Sequence, residues 1–343
     1  MNKLYTLAIA AFAAFAAVSC QKTGLADGDY VTARIDIVSP FAPQTKAVGD
    51  GTKAANLVFA VYPYYIGDQA ASESASELSE LRQGDWTKNQ SVIKFDNELK
   101  TTVSVRLVRG KAYQFVCWAQ YEDAGCFDFT EMHSIKVDYS NANSQDDLRD
   151  AFYSHDITLD QNGNPAVVTS AFSQTITLKR PFAQVNVGSK DMKEALAAGL
   201  DTTKIMSSMV VKAVPDQLNP LSNTVEGAVD AEFLIKPAVT GVLGTEVLIV
   251  NNDIQNPYGW LAMNYVLTAP VDDAGNGTDH DVHFTLYDGS IDPASQLATY
   301  EVNNVELKRN HRTHLLGNVL TADGQITVEI QPGFDDEILV SVD

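Results

Sequence analysis

The sequence is poor in positive charge and in the short motifs that mark common enzymes. It has 24 Lys and Arg against 44 Asp and Glu, a formal net charge of −20, and no Lys- or Arg-rich run. Because a phosphate backbone is bound through lysine and arginine, this balance argues against nucleic acid as a partner. The sequence contains no G-x-S-x-G, H-E-x-x-H, Walker or G-x-G-x-x-G motif. We therefore expect a protein that is not an enzyme and needs no cofactor.

Cysteine is also scarce, with three residues in 343. Cys117 and Cys126 lie nine residues apart and flank the turn-like stretch 122–125. In an exported protein this pair could form a disulfide across a hairpin, and two buried free thiols are the alternative. With no histidine at metal-binding spacing nearby, we do not expect a zinc site at these cysteines.

The third cysteine ends the only long apolar run. After the basic start at Lys3, the stretch Leu4–Val18 is uncharged and alanine-rich, which suits a signal peptide and is short for a spanning helix. It is followed by Ser19-Cys20, the pattern of a bacterial lipobox, so we expect residues 1–20 to be a lipoprotein signal peptide with lipidation at Cys20. An ordinary secretory signal is the alternative. No later segment reaches eighteen apolar residues, so the lipid would be the sole attachment to the outer membrane.

The rest of the chain alternates with the period of β-strands. The residues Val31, Ala33, Ile35 and Ile37 share one face of a predicted first strand, which is typical of a half-buried strand. Further strands are predicted at Leu57–Tyr62, Val103–Leu107, Ala112–Ala119, Ile135–Tyr139, Met206–Ala213, Val229–Ile235, Val247–Val250, Trp260–Thr268, His283–Tyr287, Leu315–Leu320, Gln325–Ile330 and Ile338–Val342. Two short helices are expected, from Ser144 to Phe152 and from Lys190 to Ala198. Many short strands between turns predict an all-β protein, with minor α, built of antiparallel sandwiches.

A bent strand from Thr175 to Val187 is expected to join the two halves. Its inward phase slips by one at Arg180-Pro181, so that Ala183, Val185 and Val187 face inward and the residues between them face outward. We therefore place the two domains at residues 21–176 and 177–343. Each half would hold about seven or eight strands.

A few residues outside these strands could carry chemistry. Two His-x-x-His pairs, His280 with His283 and His311 with His314, could meet around a metal, and solvated histidines at strand ends are the alternative. The stretch 272–281 holds four aspartates whose spacing departs from an EF-hand loop, which favours an acidic turn over a calcium site. We expect no metal. Trp118 and Trp260 lie in strands and are expected in the core, whereas Trp86 in a polar loop is a candidate platform for a sugar ring.

Several of these segments together resemble one known family, the fimbrillin-like lipoproteins of Bacteroidota, which are relatives of the type V pilus subunits. The resemblance is carried by the lipobox at Cys20 and by the segments Asp150–Tyr153, Leu178–Val187, Asn310–Leu320, Ile326–Ile330 and Pro332–Asp335. It implies two transthyretin-like β-sandwich domains in tandem and export as a surface lipoprotein. It also implies assembly with other fimbrial subunits, as an anchor, tip or stalk component, and adhesion to a host or bacterial receptor.

The resemblance further implies how such subunits polymerise. In family pilins a trypsin-like protease removes the first strand, and a strand from another subunit fills the groove. Here the matching strand is Val31–Ile37, and Lys46 and Lys53 in the loop after it are the candidate cleavage points, because that loop has no arginine. The segment Asp335–Asp343 is the only candidate donor strand. A surface glycan-binding lipoprotein of a nutrient-uptake system, using exposed aromatics such as Trp86 and Tyr64, is the alternative function, and a hydrolase is a third.

Overall fold

The computed structural model describes residues 27–38, 56–64, 90–94, 100–121, 123–201, 203–235, 247–250, 253, 255–321 and 326–331. Within these ranges it holds strands, one short α-helix and three short 3₁₀ helices, which confirms the all-β prediction. The helix α1 spans Met192–Ala197, and the 3₁₀ helices span Asp27–Asp29, Asp147–Arg149 and Pro293–Ser295.

Ten of the described strands precede residue 180. They are β1 (Tyr30–Val38), β2 (Asn56–Tyr64), β3 (Gln90–Lys94), β4 (Lys100–Val108), β5 (Ala112–Gln120), β6 (Phe127–Asp128), β7 (Ile135–Val137), β8 (Ala142–Asn143), β9 (Ala151–Ile157) and β10 (Phe172–Thr177). The sheet β10-β1-β4 and the sheet β3-β2-β5-β9 contribute side chains to one core, which includes Ile35, Ile37, Phe59 and Phe115.

Eleven described strands follow. They are β11 (Phe182–Ser189), β12 (Ile205–Val214), β13 (Gln217–Asn219), β14 (Thr224–Glu226), β15 (Val229–Ile235), β16 (Val247–Leu248), β17 (Tyr258–Leu267), β18 (Thr278–Asp288), β19 (Gln296–Leu307), β20 (Arg312–Gly317) and β21 (Ile326–Gln331). They form the sheets β16-β17-β11-β20-β21 and β19-β18-β12-β15, and the second of these is extended by β8 from the first half. Asn264 of β17 donates to the sulfur of Met209 on β12, so these sheets face each other.

The two halves are also joined through the segment that contains β6, β7 and β8. The sheet β14-β13-β7-β6 takes two strands from each half, with Leu218 opposite Ile135. Directly after it, Ala142 of β8 lies parallel to Phe233 of β15. The domain boundary at residue 176 stays a prediction, but hydrogen bonds between strands cross from one half to the other at both places.

The predicted bent strand is two strands in two sheets. β10 lies in the first half with Ile176 buried and Thr175 and Thr177 exposed, as the alternation predicts. β11 is buried along its whole length, so the expectation that Gln184 and Asn186 face outward is wrong. The reason is that β11 is a central strand, paired with β17 and β20, and both of its faces are covered.

Arg180, between these two strands, is fully buried in a bidentate ion pair with Asp150. Its Nε and Nη2 lie 2.7 and 2.8 Å from the two carboxylate oxygens, and its Nη1 donates to Asn310 Oδ1 at 2.9 Å. The guanidinium also lies 5.0 Å from the centre of the Phe152 ring. Burial alone would lower the pKa of Arg180, but the Asp150 carboxylate raises it above its usual value. One cation therefore ties together the start of β9, the junction and the turn before β20.

A second arginine makes a similar link. Arg309 donates from Nη1 to the Tyr153 hydroxyl (2.5 Å) and to Asn223 Oδ1 (2.6 Å), and from Nε to the Thr268 carbonyl (2.8 Å). The Tyr153 hydroxyl donates in turn to Asn223 Oδ1 at 2.7 Å. Tyr153 belongs to the first half and the other three residues to the second, so this cluster is another contact between them.

The helical predictions are confirmed in one case and wrong in the other. α1 lies within the predicted range, and Gly199 ends it with a φ of 99°. The helix predicted from Ser144 to Phe152 is a single 3₁₀ turn, and β9 begins at Ala151. Asp146 is the residue that caps this turn, accepting a hydrogen bond from the Leu148 amide, whereas Ser144 Oγ donates to the Met263 carbonyl.

We expect the Asp150–Arg180 pair to contribute far more to stability than an exposed pair of the same length. Asp150→Asn leaves a guanidinium buried without its counter-charge, which costs about 3–5 kcal/mol. The matched control is Asp230→Asn, since Lys212 Nζ and Asp230 Oδ2 are also 2.7 Å apart but these side chains are 38% and 55% exposed. Losing an exposed pair costs at most about 1 kcal/mol. Urea unfolding of the two variants measures the difference, and equal losses would contradict this view of the junction.

Asp191, just before α1, makes stability depend on pH. Burial by itself would raise its pKa, but hydrogen bonds from Ser189 and from the Thr321 hydroxyl and amide (2.6 and 2.7 Å) lower it. A carboxylate with a lowered pKa stabilises the fold above its unfolded pKa of about 3.9, and this contribution is lost as the pH falls through the folded pKa.

Asp191→Asn should therefore lower the free energy of unfolding by about 2 kcal/mol at pH 7, because charged hydrogen bonds are lost. The gap between variant and wild type should narrow below about pH 4. Denaturant unfolding at pH 7 and at pH 3.5 checks this. A gap of constant size at both pH values would show that the charge of Asp191 is not the cause.

Candidate functional site

The candidate site is β1 together with the groove that holds it, because the resemblance to fimbrillin-like proteins implies that this strand is exchanged. β1 is the middle strand of its sheet. It runs antiparallel to β4, with Ile35 opposite Val103, and parallel to β10, with Ile37 opposite Ile176. Both edges of β1 are therefore paired, and β4 and β10 reach each other only through it.

The inward face of β1 follows the predicted alternation. Val31 is 4% exposed, and Ala33, Ile35 and Ile37 are completely buried. Burial of three large aliphatic side chains is worth on the order of 5–9 kcal/mol. Removing β1 would leave a groove of the same length with four side-chain positions to fill and a row of unpaired backbone groups on each wall.

The outward face of β1 is polar and exposed. Arg34 Nε lies 3.1 Å from Asp36 Oδ1, and the Thr102 hydroxyl on β4 donates to the same oxygen at 2.6 Å. Hydrogen bonds from Thr102 and then from Arg34 hold the pKa of Asp36 below its usual range. At the start of the strand, the Arg106 guanidinium lies 4.5 Å above the centre of the Tyr30 ring. These contacts fix the register of β1 against β4 without adding to the core.

Both ends of β1 are held by residues from outside the strand. Arg109 donates from its amide to the Asp29 carbonyl (2.7 Å) and from its side chain to the carbonyls of Gly28 and Thr169. At the other end, the Leu178 amide donates to the Val38 carbonyl at 3.0 Å. Sequence reasoning missed Arg109, because a single arginine beside a turn glycine gives no signal of a partner 81 residues away.

The residues predicted to process or anchor the chain lie outside the described ranges. These are the lipidation site Cys20, the cleavage points Lys46 and Lys53, and the donor segment Asp335–Asp343. Trp86 and the side chain of Tyr64 also lie outside them. These assignments stay predictions. No helix in the described part of the chain is long and apolar enough to cross a membrane.

Cys117 and Cys126 are recorded as free thiols, Cys117 buried and Cys126 half-buried, which corresponds to the second of the two alternatives offered for this pair. Side chains alternate along β5, which puts Cys117 and Trp118 on opposite faces of the sheet. Trp118 is the residue that contacts Phe127, the neighbour of Cys126, with ring centres 5.3 Å apart. Cys117 instead belongs to the buried core, and burial raises its pKa, while the pKa of half-buried Cys126 is raised to about 11, first by burial.

The two histidine pairs do not meet. Both residues of the first pair are on β18, and His280 Nδ1 lies 3.0 Å from the Lys212 carbonyl. In the second pair, His311 Nδ1 lies 2.7 Å from the Arg309 carbonyl, and His314 is buried on β20 in the opposite sheet. Within the described residues, no three His, Cys, Asp or Glu side chains are placed to hold a metal ion.

The acidic stretch after β17 is a turn closed by its own first residue. Asp272 accepts hydrogen bonds from the amides of Ala274 and Asn276 and from the Asn276 side chain. Asp160 closes the turn to Asn164 with the same bonds from residues two and four positions later. Because the carboxylate is occupied by its own loop, this arrangement serves the turn. The tryptophan prediction for the core is confirmed, since Trp118 and Trp260 are 0% and 5% exposed.

Solved structures that match the chain include three fimbrial proteins. The tip fimbrial protein of Porphyromonas gingivalis is 10% identical, with 88% of this chain and 99% of that chain covered and a TM-score of 0.42. The fimbrial anchor protein of the same organism is 10% identical, with 87% of this chain and 97% of that chain covered and a TM-score of 0.39. A fimbrial assembly protein of Parabacteroides distasonis is 11% identical, with 88% of this chain and 96% of that chain covered and a TM-score of 0.38. At these values the matches carry no conclusion about function. A search of curated proteins finds no match.

Membership of a family rests on sequence. The profile of the family of unknown function DUF6562 matches residues 31–342, from the second residue of β1 to the last residue but one. The match covers nearly all of the chain that follows the predicted signal peptide. The chain therefore belongs to the family of unknown function DUF6562.

Proposed function

We propose that the protein is a non-enzymatic surface lipoprotein of fimbrillin type, a structural or adhesive component of fimbriae that joins other subunits by strand addition. The observation that carries the proposal is the position of β1. It is a central strand, it is paired on both edges, and it fills the core with four side chains at every second position. Strand addition needs these features, because backbone pairing supplies affinity and alternate side chains supply specificity.

The chemistry of the groove supports a strand as its occupant. Its walls are β4 and β10. Without β1 their backbone N–H and C=O groups would face the groove, and only another strand can form hydrogen bonds with them along the full length. The inward side chains of these walls are apolar, and Val103 and Val105 on β4 and Ile176 on β10 are buried beside β1. A partner segment would need small or aliphatic residues with a period of two, since Ala33 occupies one of the four inward positions.

The outer membrane is the location we propose, with the chain held there by lipid on Cys20 until processing occurs. Cleavage after Lys46 or Lys53 would separate β1 and the lipid from the rest of the chain, since both residues lie between β1 and β2. One event would thereby release the subunit and open its groove. An anchor would keep β1, whereas a stalk subunit would lose it.

The test is N-terminal sequencing of mature protein from outer membranes and from sheared surface fibres. We expect assembled protein to begin at Ala47 or Ala54 and membrane-bound precursor to begin at Cys20. In a strain with Lys46→Ala and Lys53→Ala, the protein should keep Cys20 as its start and should not enter fibres. Lys193→Ala, on the exposed side of α1, is the matched control and should be processed normally.

The result that would overturn the proposal is equally concrete. Mature protein that begins at Cys20 in every fraction, in a species whose deletion strain keeps its surface fibres and its adhesion, excludes a fimbrial role. Protein that begins at Cys20 while the deletion strain loses its fibres assigns the chain to the anchor position.

A further inference from the structure

The strand β15, in the second half of the molecule, has a partly free edge. It pairs with β12 along one edge, from Val229 to Ile235, whereas on its other edge β8 pairs only with Phe233 and Leu234. Beside residues 229–232 this second edge has no neighbour among the strands that the structure describes. A free edge presents unpaired N–H and C=O groups, which can bind another strand.

The pairing with β8 shows which backbone groups face this edge. The Leu234 carbonyl accepts a hydrogen bond from the Ser144 amide at 2.9 Å, so the peptide groups of Leu234 point towards the segment that contains β8. Backbone groups alternate in direction along a strand, so the N–H and C=O groups of Asp230 and Glu232 point the same way. These four groups face the free edge, and no backbone hydrogen bond between described residues uses them.

A cleft of about 440 Å³ lies at this edge, between β15 and residues 137–141, which precede β8. Hydrogen bonds to other groups hold these residues in place. The Val137 amide donates to the Asp216 carbonyl at 2.8 Å, and the Ser140 amide donates to Asp138 Oδ1 at 2.7 Å. The cleft is therefore formed without a ligand, and such preorganisation lowers the entropy lost on binding.

The side chains that line the cleft carry an excess of negative charge. Four of them are carboxylates, those of Asp138, Asp216, Asp230 and Glu232. Lys212 Nζ lies 2.7 Å from Asp230 Oδ2 and so pairs with one of the four. Within the described part of the chain, no three acidic side chains are placed to hold a metal ion. The arrangement suits a ligand whose positive charges are separated from one another.

The alternation of β15 determines where those positive charges would lie. Asp230 and Glu232 are exposed on the outward face of the sheet, whereas Ala231 and Phe233 are fully buried on the inward face. On a strand added to this edge, the side chains opposite Asp230 and Glu232 share the outward face with them. Opposite charges at such positions stabilise the pairing and like charges destabilise it. The inward positions need small uncharged residues, because no space is left around Ala231.

We propose that this cleft binds an extended segment of a partner protein, which is added as a strand to the free edge of β15. The segment is about four residues long, which is the length of the free part of β15. It carries lysine or arginine at every second position and small uncharged residues between them. Its backbone pairs with Asp230 and Glu232, and its cations face the carboxylates of the cleft.

Charge complementarity selects this occupant. A second copy of the chain has a formal net charge of −20, which opposes its approach to an acidic cleft. The carboxylates of Asp230 and Glu232 repel acidic strands in the same way, so the free edge accepts a cationic strand. The inference goes beyond the proposed function. The cleft lies in the other half from β1, and its occupation does not depend on whether β1 is exchanged.

Fluorescence anisotropy with synthetic peptides tests this occupant. The protein is the full-length chain with Cys20→Ala, and the ligand is a labelled pentapeptide in which lysine and alanine alternate. A peptide with glutamate in place of lysine tests the charge. The lysine peptide with methylated backbone amides keeps the charge but donates no backbone hydrogen bonds. We expect each control peptide to bind at least about tenfold more weakly.

Substitutions locate the bound peptide. Asp216→Asn with Glu232→Gln removes two charges from the cleft and should weaken binding of the lysine peptide at least about tenfold. The matched control is Asp279→Asn with Glu301→Gln, which removes two charges from β18 and β19 at the opposite edge of the same sheet. It should change the affinity less than about twofold.

Three results of these measurements overturn the proposal. The first is a dissociation constant for the lysine peptide weaker than about 1 mM. The second is equal binding of the methylated peptide, which would mean that charge alone attracts the ligand. The third is equal weakening by the two pairs of substitutions, which would place the peptide outside the cleft.

Two proline variants test the free edge without any ligand. Glu232→Pro removes an N–H that faces the cleft, and proline is tolerated at such positions of an edge. Ala231→Pro removes an N–H that faces β12, since Ala231 lies opposite Val211 and alternates with Glu232. Thermal unfolding should show a fall in Tm at least about twice as large for Ala231→Pro. Equal falls would mean that the Glu232 amide is already paired, and they would overturn the proposal.

Discussion

The structure depends on one buried charge pair, Arg180 with Asp150. Two oppositely charged groups without access to water are stable only when their polar atoms have partners, and here Arg180 donates to Asn310 as well as to both carboxylate oxygens of Asp150. These three residues come from the two halves and from the link between them. The halves therefore share a polar centre. The side chain of Tyr265, on the face of β11 and β17 that lies near this centre, is also fully buried, and its pKa is raised first by that burial.

β1 lies apart from this polar centre. β1 contributes to the apolar core of the first half and to two strand edges, but the ion pair, the Arg309 cluster and the mixed sheet β14-β13-β7-β6 all lie elsewhere in the chain. β1 supplies apolar side chains to the core and backbone hydrogen bonds to two strands. A strand with the same alternation of apolar and polar residues has the groups that both contributions need. A protein whose halves were joined through β1 would not tolerate its exchange.

The sequence predicts well the strands whose two faces differ. β1 and β21 alternate apolar and polar residues, and both are found within one or two residues of their predicted ends. β19 gives no such signal, although it has twelve residues, because an edge strand is covered on little of its surface and its side chains are mostly polar. Arg180 is the clearest failure of local reasoning. Next to a proline it reads as a break in the strand, and only the fold brings Asp150, 30 residues earlier, to meet it. Alternation predicts β1 itself and the family resemblance implies the groove, whereas neither predicts the hydrogen bonds that Arg109 donates beside β1.

The strands that cross between the halves impose an order on how the molecule can be made. β7 pairs with β13, which lies some 80 residues later in the chain, and β8 pairs with β15, which lies about as far after it. Contacts this distant in sequence form slowly, because the chain loses the entropy of closing a long loop before the contacts stabilise it. A chain that emerges amino-terminus first thus carries β7 and β8 without these two partners until residues 217–235 have appeared. The folding of the first half is therefore completed by the second.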